Sequence, residues 1–243
     1  MTSPRTGTAG LLVSDVDSTF IDQEVIELLA RSTGREAEVT AVTERAMAGE
    51  LDFAASLRAR VAVLRGVPVT EVEAAARAVT LTHGARELVA AAHAADWTVA
   101  LVSGGFTAVI ERFTQGLGIT EIWANGLGVD EAAGVLTGEV AGSIVDRPAK
   151  AARLREIAQR RGIGLRRTVG VGDGANDRDL LRTAEVGVAF CAKPALREHA
   201  DLIVDERDLM QVWEGAQRLL AERGRLQPHA RAQTKSRSTA GSP

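Results

Sequence analysis

Short apolar runs without polar alternation restrict this chain's fold more than any other feature. "GLLVSDV", "WTVALVS", "TVGVGD" and "VGVAF" are apolar at nearly every position, and "EIWAN" and "DLIVD" are shorter versions. A strand with one wet face alternates, whereas a strand covered on both faces does not, so these runs point to a parallel sheet between helical layers. Helical patterns lie between several of them. In "ARELVAAAHAAD" the spacing puts Leu88, Ala91, Ala92 and Ala95 on one face. "PAKAARLREIAQRRG" opens with a proline suited to a first helical turn and closes on Gly162, a natural stop. The alternation predicts an α/β fold, a Rossmann-like doubly wound parallel sheet.

Two stretches interrupt the alternation. Residues 22–80 hold helical segments punctuated by glycine or proline and no convincing strand, and we expect a small helical cap inserted into a core made of residues 10–21 and 81–222. "NGLGVDEAAGVLTGEVAG" is rich in glycine with short apolar pairs, which suggests a β-hairpin excursion. Residues 1–9 and the polar, basic stretch 223–243 are expected to be disordered. With 243 residues, 45% of them hydrophobic, the chain can bury a full core, and a net charge of −3 argues against nucleic acid or an anionic membrane as partner. The single cysteine, Cys191, excludes an internal disulfide framework and a multi-thiolate zinc site. No apolar stretch approaches the roughly 20 residues that span a bilayer, and "MTSPRTGTAG" lacks the core of a signal peptide. The expectation is a soluble, cytoplasmic protein, of an oligomeric state that the sequence leaves open.

In open parallel sheets, ligands bind beyond the carboxyl ends of the strands. Three of the strands expected here end in reactive residues: Asp15 and Asp17 after the first, Ser103, Gly104 and Gly105 after the second, and Asp173, Asn176 and Asp177 in "GDGAND". Four gathered carboxylates cannot all stay ionised without a cation, and Mg²⁺, which prefers hard oxygen donors, suits them. Ser103 with the Gly104 and Gly105 amides, at a helix start, would make an anion cradle. Lys150 is one of only three lysines in a chain whose cations are mostly arginine, and it would add a compact positive charge. Together these parts describe phosphoryl transfer. An aspartate is ionised at neutral pH and can attack phosphorus, while a second carboxylate of raised pKa can donate and then accept a proton.

In order and spacing, "DVDST", "VSGGF", the lysine of "PAKA" and "GDGAND" resemble the four motifs of the haloacid dehalogenase superfamily of phosphatases. The branch of that superfamily that hydrolyses O-phosphoserine is the nearer match, over residues 11 to about 210, and the likeness extends to "DSTFIDQEVIELLA", "LDFAASLRARVAVLRGVP", "LTGEV" and "AFCAKP". The resemblance implies Asp15 as nucleophile and Asp17 as acid and base. It implies Mg²⁺ held by the Asp15 carboxylate, the Asp17 carbonyl and Asp173, with Asp177 in support. Ser103, Gly104 and Lys150 would bind the phosphoryl group, and Asn176 would also touch substrate. From the cap, Glu24 would meet the substrate ammonium and Arg60 its carboxylate, with Met47 and Phe53 lining the pocket. A zwitterion needs one anion and one cation, which agrees with that pair. Hinges are expected near residues 21–24 and 79–84. Phe20 stands where leucine is commoner in the family, and a regulatory domain found ahead of the core in some relatives is not expected here.

Ordinary readings compete with each of these. Aspartate, serine and threonine after a strand also serve as turn and cap residues. Glu24 could simply favour a helix dipole, Arg60 could be solvated like Arg58 and Arg65, and Lys193 reads most simply as a surface or cap residue. "GVGDGA" matches a dinucleotide fingerprint, but Asp173 inside that turn would repel a pyrophosphate. Two rival functions remain: a related phosphatase or phosphotransferase acting on another small phosphorylated metabolite, and a non-catalytic protein that binds phosphoamino acids.

Overall fold

A computed structural model describes the backbone of residues 9–47 and 50–236, with side chains throughout except at 47 and from 226 onward. Of residues 1–9, expected to be disordered, 1–8 lie outside the described residues, whereas Ala9 is ordered, its amide donating to the Asp96 carbonyl (2.7 Å). Seven strands form one sheet: β1 (Gly10–Ser14), β2 (Trp97–Phe106), β3 (Glu121–Asp130), β4 (Val135–Ala141), β5 (Thr168–Gly172), β6 (Val186–Phe190) and β7 (Leu202–Val204). Their spatial order is β4-β3-β2-β1-β5-β6-β7, and every neighbouring pair is parallel except β3 with β4.

The unbroken apolar runs are explained by the two cores. Leu12, Val99, Leu101, Val169 and Val171 point to one face of the sheet. Leu11, Val13, Ala100 and Val102 point to the other. Each strand therefore needs an apolar residue at both parities. Helices α5 (Ala85–Ala94) and α10 (Leu209–Ser236) cover the first face, and α7 (Arg147–Arg160) with α8 (Arg178–Thr183) covers the second. The buried stripe of α5 is Ala85, Leu88, Val89 and Ala92. It is shifted from the expected one, because Ala95 caps the end of the helix and lies exposed. Pro148 stands in the first turn of α7 and Gly162, at φ +67°, follows its end, as the sequence suggests.

Among the described residues, four helices precede α5 between β1 and β2 and make up the insertion: α1 (Val25–Ser32), α2 (Glu36–Met47), α3 (Phe53–Val63) and α4 (Thr70–Arg77). The chain enters and leaves this insertion through two linkers that run side by side, with Ile21 bridged to Leu81. The Asp22 amide donates to the Thr80 carbonyl (3.0 Å) and the Thr82 amide to the Phe20 carbonyl (3.0 Å). Arg207 pins this ribbon from the far end of the chain, donating to Asp22 Oδ1 (2.7 Å) and to the Ile21 carbonyl (3.2 Å). The β3–β4 hairpin widens the sheet and braces the insertion, since Gly66 donates to the Leu136 carbonyl (2.8 Å) and Leu136 to that of Val67 (2.8 Å).

The tail differs from expectation. α10 continues to Ser236, so residues 223–236 are helical where disorder was expected, and residues 237–243 lie outside the described residues. Val212, Trp213 and Ala216 dock the helix against the core, and Trp213 meets Trp97 edge-on at 5.4 Å between ring centroids. The helix continues beyond this docked stretch through Gly224 and Pro228, both poor helix formers, and local propensity does not account for it.

Candidate active site

The strand order reverses about β1, so the connections leaving β1 and β5 run to opposite sides and open a crevice at their carboxyl ends. Asp15 sits at that crevice. Its amide still donates to the Val171 carbonyl of β5 (2.9 Å), and the chain then coils at once, with the Val16 carbonyl accepting from the Phe20 and Ile21 amides. Ser18 takes a left-handed conformation (φ +56°) to make the turn.

Asp15 is 3% exposed and Lys150, from the first turns of α7, is 1% exposed. The Lys150 ammonium lies 2.8 Å from Asp15 Oδ1 and 2.7 Å from Asp177 Oδ1. The Val16 amide also donates to Asp15 Oδ1 (2.8 Å). α7 aims the lysine because Asp146 caps its start, accepting from the Ala149 amide (3.0 Å). Asp177 can come this close to β5 because Gly172 has no side chain: a Cβ there would lie 2.3 Å from the Asp177 carboxyl carbon.

Carboxylate oxygens of Asp15, Asp173 and Asp177 lie within 4.8 Å of one another, close enough to hold a metal ion. Asp17 contributes no carboxylate oxygen to that group, and its Oδ1 accepts instead from the Val25 amide (3.3 Å). Without a cation the charges are unbalanced. Burial, and then Asp177, push the Asp15 carboxyl well above its ordinary value, with Lys150 opposing. Burial and Asp177 raise Asp173 to about 6. Burial and Glu24 raise Asp17 to about 8. Burial alone would lower Lys150, but Asp15 and Asp177 outweigh it and raise it. An all-oxygen, strongly anionic donor set fits a hard divalent cation.

A measurable consequence follows for the metal-free protein. Carboxylates raised on folding hold protons that the unfolded chain has already released, so stability falls as pH rises from the ordinary value of 3.8 through about 6 and about 8. In EDTA the melting temperature is expected to drop between pH 5 and pH 8. A divalent cation, which needs the ionised carboxylates, should restore more at pH 8 than at pH 5. An unchanged melting temperature across that window would contradict the assigned charges.

Ser103 is fully buried, and Gly105 approaches Asp17 so closely that a Cβ there would lie 2.9 Å from its Oδ2. The expected helix start is displaced: residues 103–105 belong to an irregular part of β2, and α6 (Thr107–Phe113) begins only after Phe106. The cradle is therefore a break in the strand pairing, not the first turn of a helix. Asn176 lines the crevice from a 3-10 turn over Ala175–Asp177.

The insertion closes the crevice into a cavity of about 580 Å³, lined by Asp15, Glu24, Phe53, Arg60, Asp173 and Asn176 among others. Its inner recess, about 70 Å³, brings together Asp17, Glu24, Phe53, Arg60, Gly104 and Gly105. Glu24 occupies the capping position of α1 but caps nothing, and accepts instead from the Ser18 hydroxyl (2.8 Å). Arg60 is half-buried and its Nε has no hydrogen-bond partner among the described residues. Burial lowers its pKa, with Glu24 and Asp17 opposing. Met47 ends α2, and its side chain lies outside the described residues.

The cavity also includes residues that sequence reasoning passed over. Glu27, one helical turn after Glu24, shares the wall with Thr43. Lys193, read as a surface residue, lines the same cavity while remaining exposed, and its amide donates to the Asp173 carbonyl (3.0 Å). The lysine of "AFCAKP", close after a strand, was the available signal.

The chain is 43% identical over 210 residues to the phosphoserine phosphatase of Lactococcus lactis subsp. lactis (strain IL1403), a match spanning 86% of this chain and 96% of that protein. A substrate-bound phosphoserine phosphatase complex superposes with a TM-score of 0.78 at 40% identity, covering 84% of this chain and 97% of that one. A phospho-aspartyl intermediate analogue of phosphoserine phosphatase gives the same TM-score and identity over 85% and 98%. The profile of the haloacid dehalogenase-like hydrolase family matches residues 12–182, from within β1 to within α8, and so takes in Asp15, Ser103, Lys150 and Asp173 at the crevice. Sheet order, crevice chemistry and sequence agree, and the chain belongs to the haloacid dehalogenase-like hydrolase family.

Proposed function

We propose that this protein hydrolyses O-phosphoserine to serine and phosphate through a phospho-Asp15 intermediate, with Mg²⁺ as the cation. One observation carries the substrate assignment: the inner recess sets an anion, Glu24, and a cation, Arg60, beside Asp17 and the Gly104–Gly105 backbone. A phosphorylated amino acid has three recognisable groups, and the recess and crevice offer a counterpart to each. Glu24 faces the ammonium and Arg60 the carboxylate, where a guanidinium forms paired hydrogen bonds. The orphaned Arg60 Nε supports this, since a buried donor without an acceptor is costly and the substrate carboxylate would supply one.

The chemistry then follows from the buried groups. Ser103, the Gly104 amide and Lys150 hold the phosphoryl oxygens. Lys150 and the Val16 amide hold Asp15 Oδ1 and so fix the carboxylate, which attacks phosphorus as the bond to the serine oxygen breaks. Burial and Glu24 raise the Asp17 carboxyl, which favours its protonated form, and from there it gives its proton to that departing oxygen. Its carboxylate then takes a proton from the water that attacks phospho-Asp15, which releases phosphate and regenerates both aspartates. Asp15, Asp173 and the Asp17 carbonyl would hold Mg²⁺, with Asp177 in support, and the bound ion would neutralise charge on the phosphoryl oxygens. This reaction is the last step of serine biosynthesis, and a cytoplasmic location belongs to the same reading, supported by the lone cysteine.

The test is phosphate release with Mg²⁺ from phosphoserine, phosphohomoserine, a sugar phosphate and an aryl phosphate. Phosphoserine is expected to be preferred and EDTA to abolish turnover. No preference would reject the substrate, and no turnover at all would favour a binding protein. Arg60→Ala should lower kcat/KM for phosphoserine by about 10²-fold, as expected for a lost charged hydrogen-bonding partner, and change the aryl phosphate little. Equal losses on both substrates would make Arg60 a structural residue.

A further inference from the structure

Asn125 is fully buried on β3, a strand in which an amide is a poor former and a costly thing to bury. It sits opposite Phe106, just past the point where β2 and β3 lose register. Between Val102 and Phe106 the ladder is broken, and the Gly104 carbonyl there accepts from Asn125 Nδ2 at 2.7 Å. Asn125 Oδ1 accepts from the Val145 amide at 2.8 Å. A planar amide meets a donor on one side and an acceptor on the other at once.

The two partners are what make this contact informative. The Gly104 carbonyl and the Gly105 amide belong to one peptide unit. Asn125 holds its oxygen end, and the Ser103 hydroxyl oxygen accepts from its N–H end at 2.8 Å. The peptide plane is therefore fixed at both ends, which orients the lone pairs of Ser103 and leaves its O–H free to donate. On the other side, Val145 immediately precedes Asp146, the residue that caps α7 and so aims Lys150. One side chain thus joins the two separate elements that grip the phosphoryl group.

We propose that Asn125 is a positioning residue for phosphoryl binding: it locks the Gly104–Gly105 peptide against the start of α7, and so sets the Ser103 hydroxyl relative to Lys150. This rests on the reading of Ser103 and Lys150 as the phosphoryl cradle, and not on which phosphomonoester is the substrate.

The test is a double-mutant cycle with Ser103→Ala. Asn125→Leu keeps the branched shape, with bulkier methyls, and removes both hydrogen bonds, and Asn125→Ala serves if the leucine variant does not fold. Either change should lower kcat/KM by roughly 10–100-fold, the scale of a small misplacement of catalytic groups, alike on phosphoserine and an aryl phosphate. Inhibition by inorganic phosphate should weaken in parallel. In the Ser103→Ala background the same change should cost no more than about 3-fold, because the group it positions is gone. Additive losses would overturn the proposal, as would a lowered melting temperature with unchanged kcat/KM and phosphate inhibition. Should the unmodified protein prefer another phosphomonoester, the substrate assignment falls, and the cycle run on that compound still decides Asn125. Should it turn over none, direct binding of inorganic phosphate with Mg²⁺ decides, and equal affinity in variant and unmodified protein refutes the role.

Discussion

Asp15→Asn is expected to remove turnover, with kcat lowered on the order of 10⁴-fold or more, as for loss of other enzymic nucleophiles, while the fold is kept. Asparagine has the shape of aspartate, so the Val16 amide keeps an acceptor, and Lys150 keeps Asp177 at 2.7 Å. The amide is neutral and does not displace an alkoxide from phosphorus. Stability in EDTA should be equal or higher, because one of the carboxylates that repel one another in a buried site is gone. Phosphate release and thermal melting, with mass spectrometry to exclude deamidation, measure both parts. Near-normal turnover would refute the assignment of the nucleophile, and unfolding would show that Asp15 is needed chiefly for structure.

Lys150→Met is expected to have the largest effect on stability. The side chain is 1% exposed and its ammonium lies between two carboxylates at 2.8 and 2.7 Å. Methionine fills a similar volume but leaves Asp15 and Asp177 buried together without a cation, held only by the Val16 and Gly174 amides. Removing one member of a buried ion cluster costs about 3–5 kcal/mol, or roughly 6–20 °C in melting temperature for a chain of this size. Mg²⁺ should recover part of the loss by supplying positive charge to the same oxygens. Melting curves with EDTA and with Mg²⁺ separate the two contributions. A variant as stable as the unmodified protein in EDTA would mean that the carboxylates neutralise themselves by protonation and that Lys150 is dispensable to the fold.

The parts of the site legible in the sequence are those where chemistry conflicts with local structure. Asp15 and Asp17 end an apolar strand, and such a conflict is visible without coordinates. The doubly wound sheet was legible because Leu11, Leu12 and Val13 must each find a buried face. What escaped notice depends on three-dimensional closeness. The placement of residues 103–105 inside β2 turns on a pairing with β3 that no local pattern reveals. Asn125 was quoted within "EIWAN" and passed over, although an asparagine in a strand is itself a warning. Lys193 looks like any surface lysine until β6 and α9 (Pro194–Arg197) carry it to the cavity wall. The end of α10 was misjudged because composition reports the cost of a polar segment and not the helix already docked before it.

The central strand also constrains how the molecule can be made. β1 leaves the ribosome first, yet one of its two neighbours, β5, begins only at Thr168, and the ribbon after β1 is fastened by Arg207, 185 residues beyond Asp22. Vectorial synthesis therefore leaves β1 without this neighbour until Thr168 and the residues after it are made, and pairings between such distant segments slow folding. Asp15 likewise meets its ammonium partner only after Lys150 has been made.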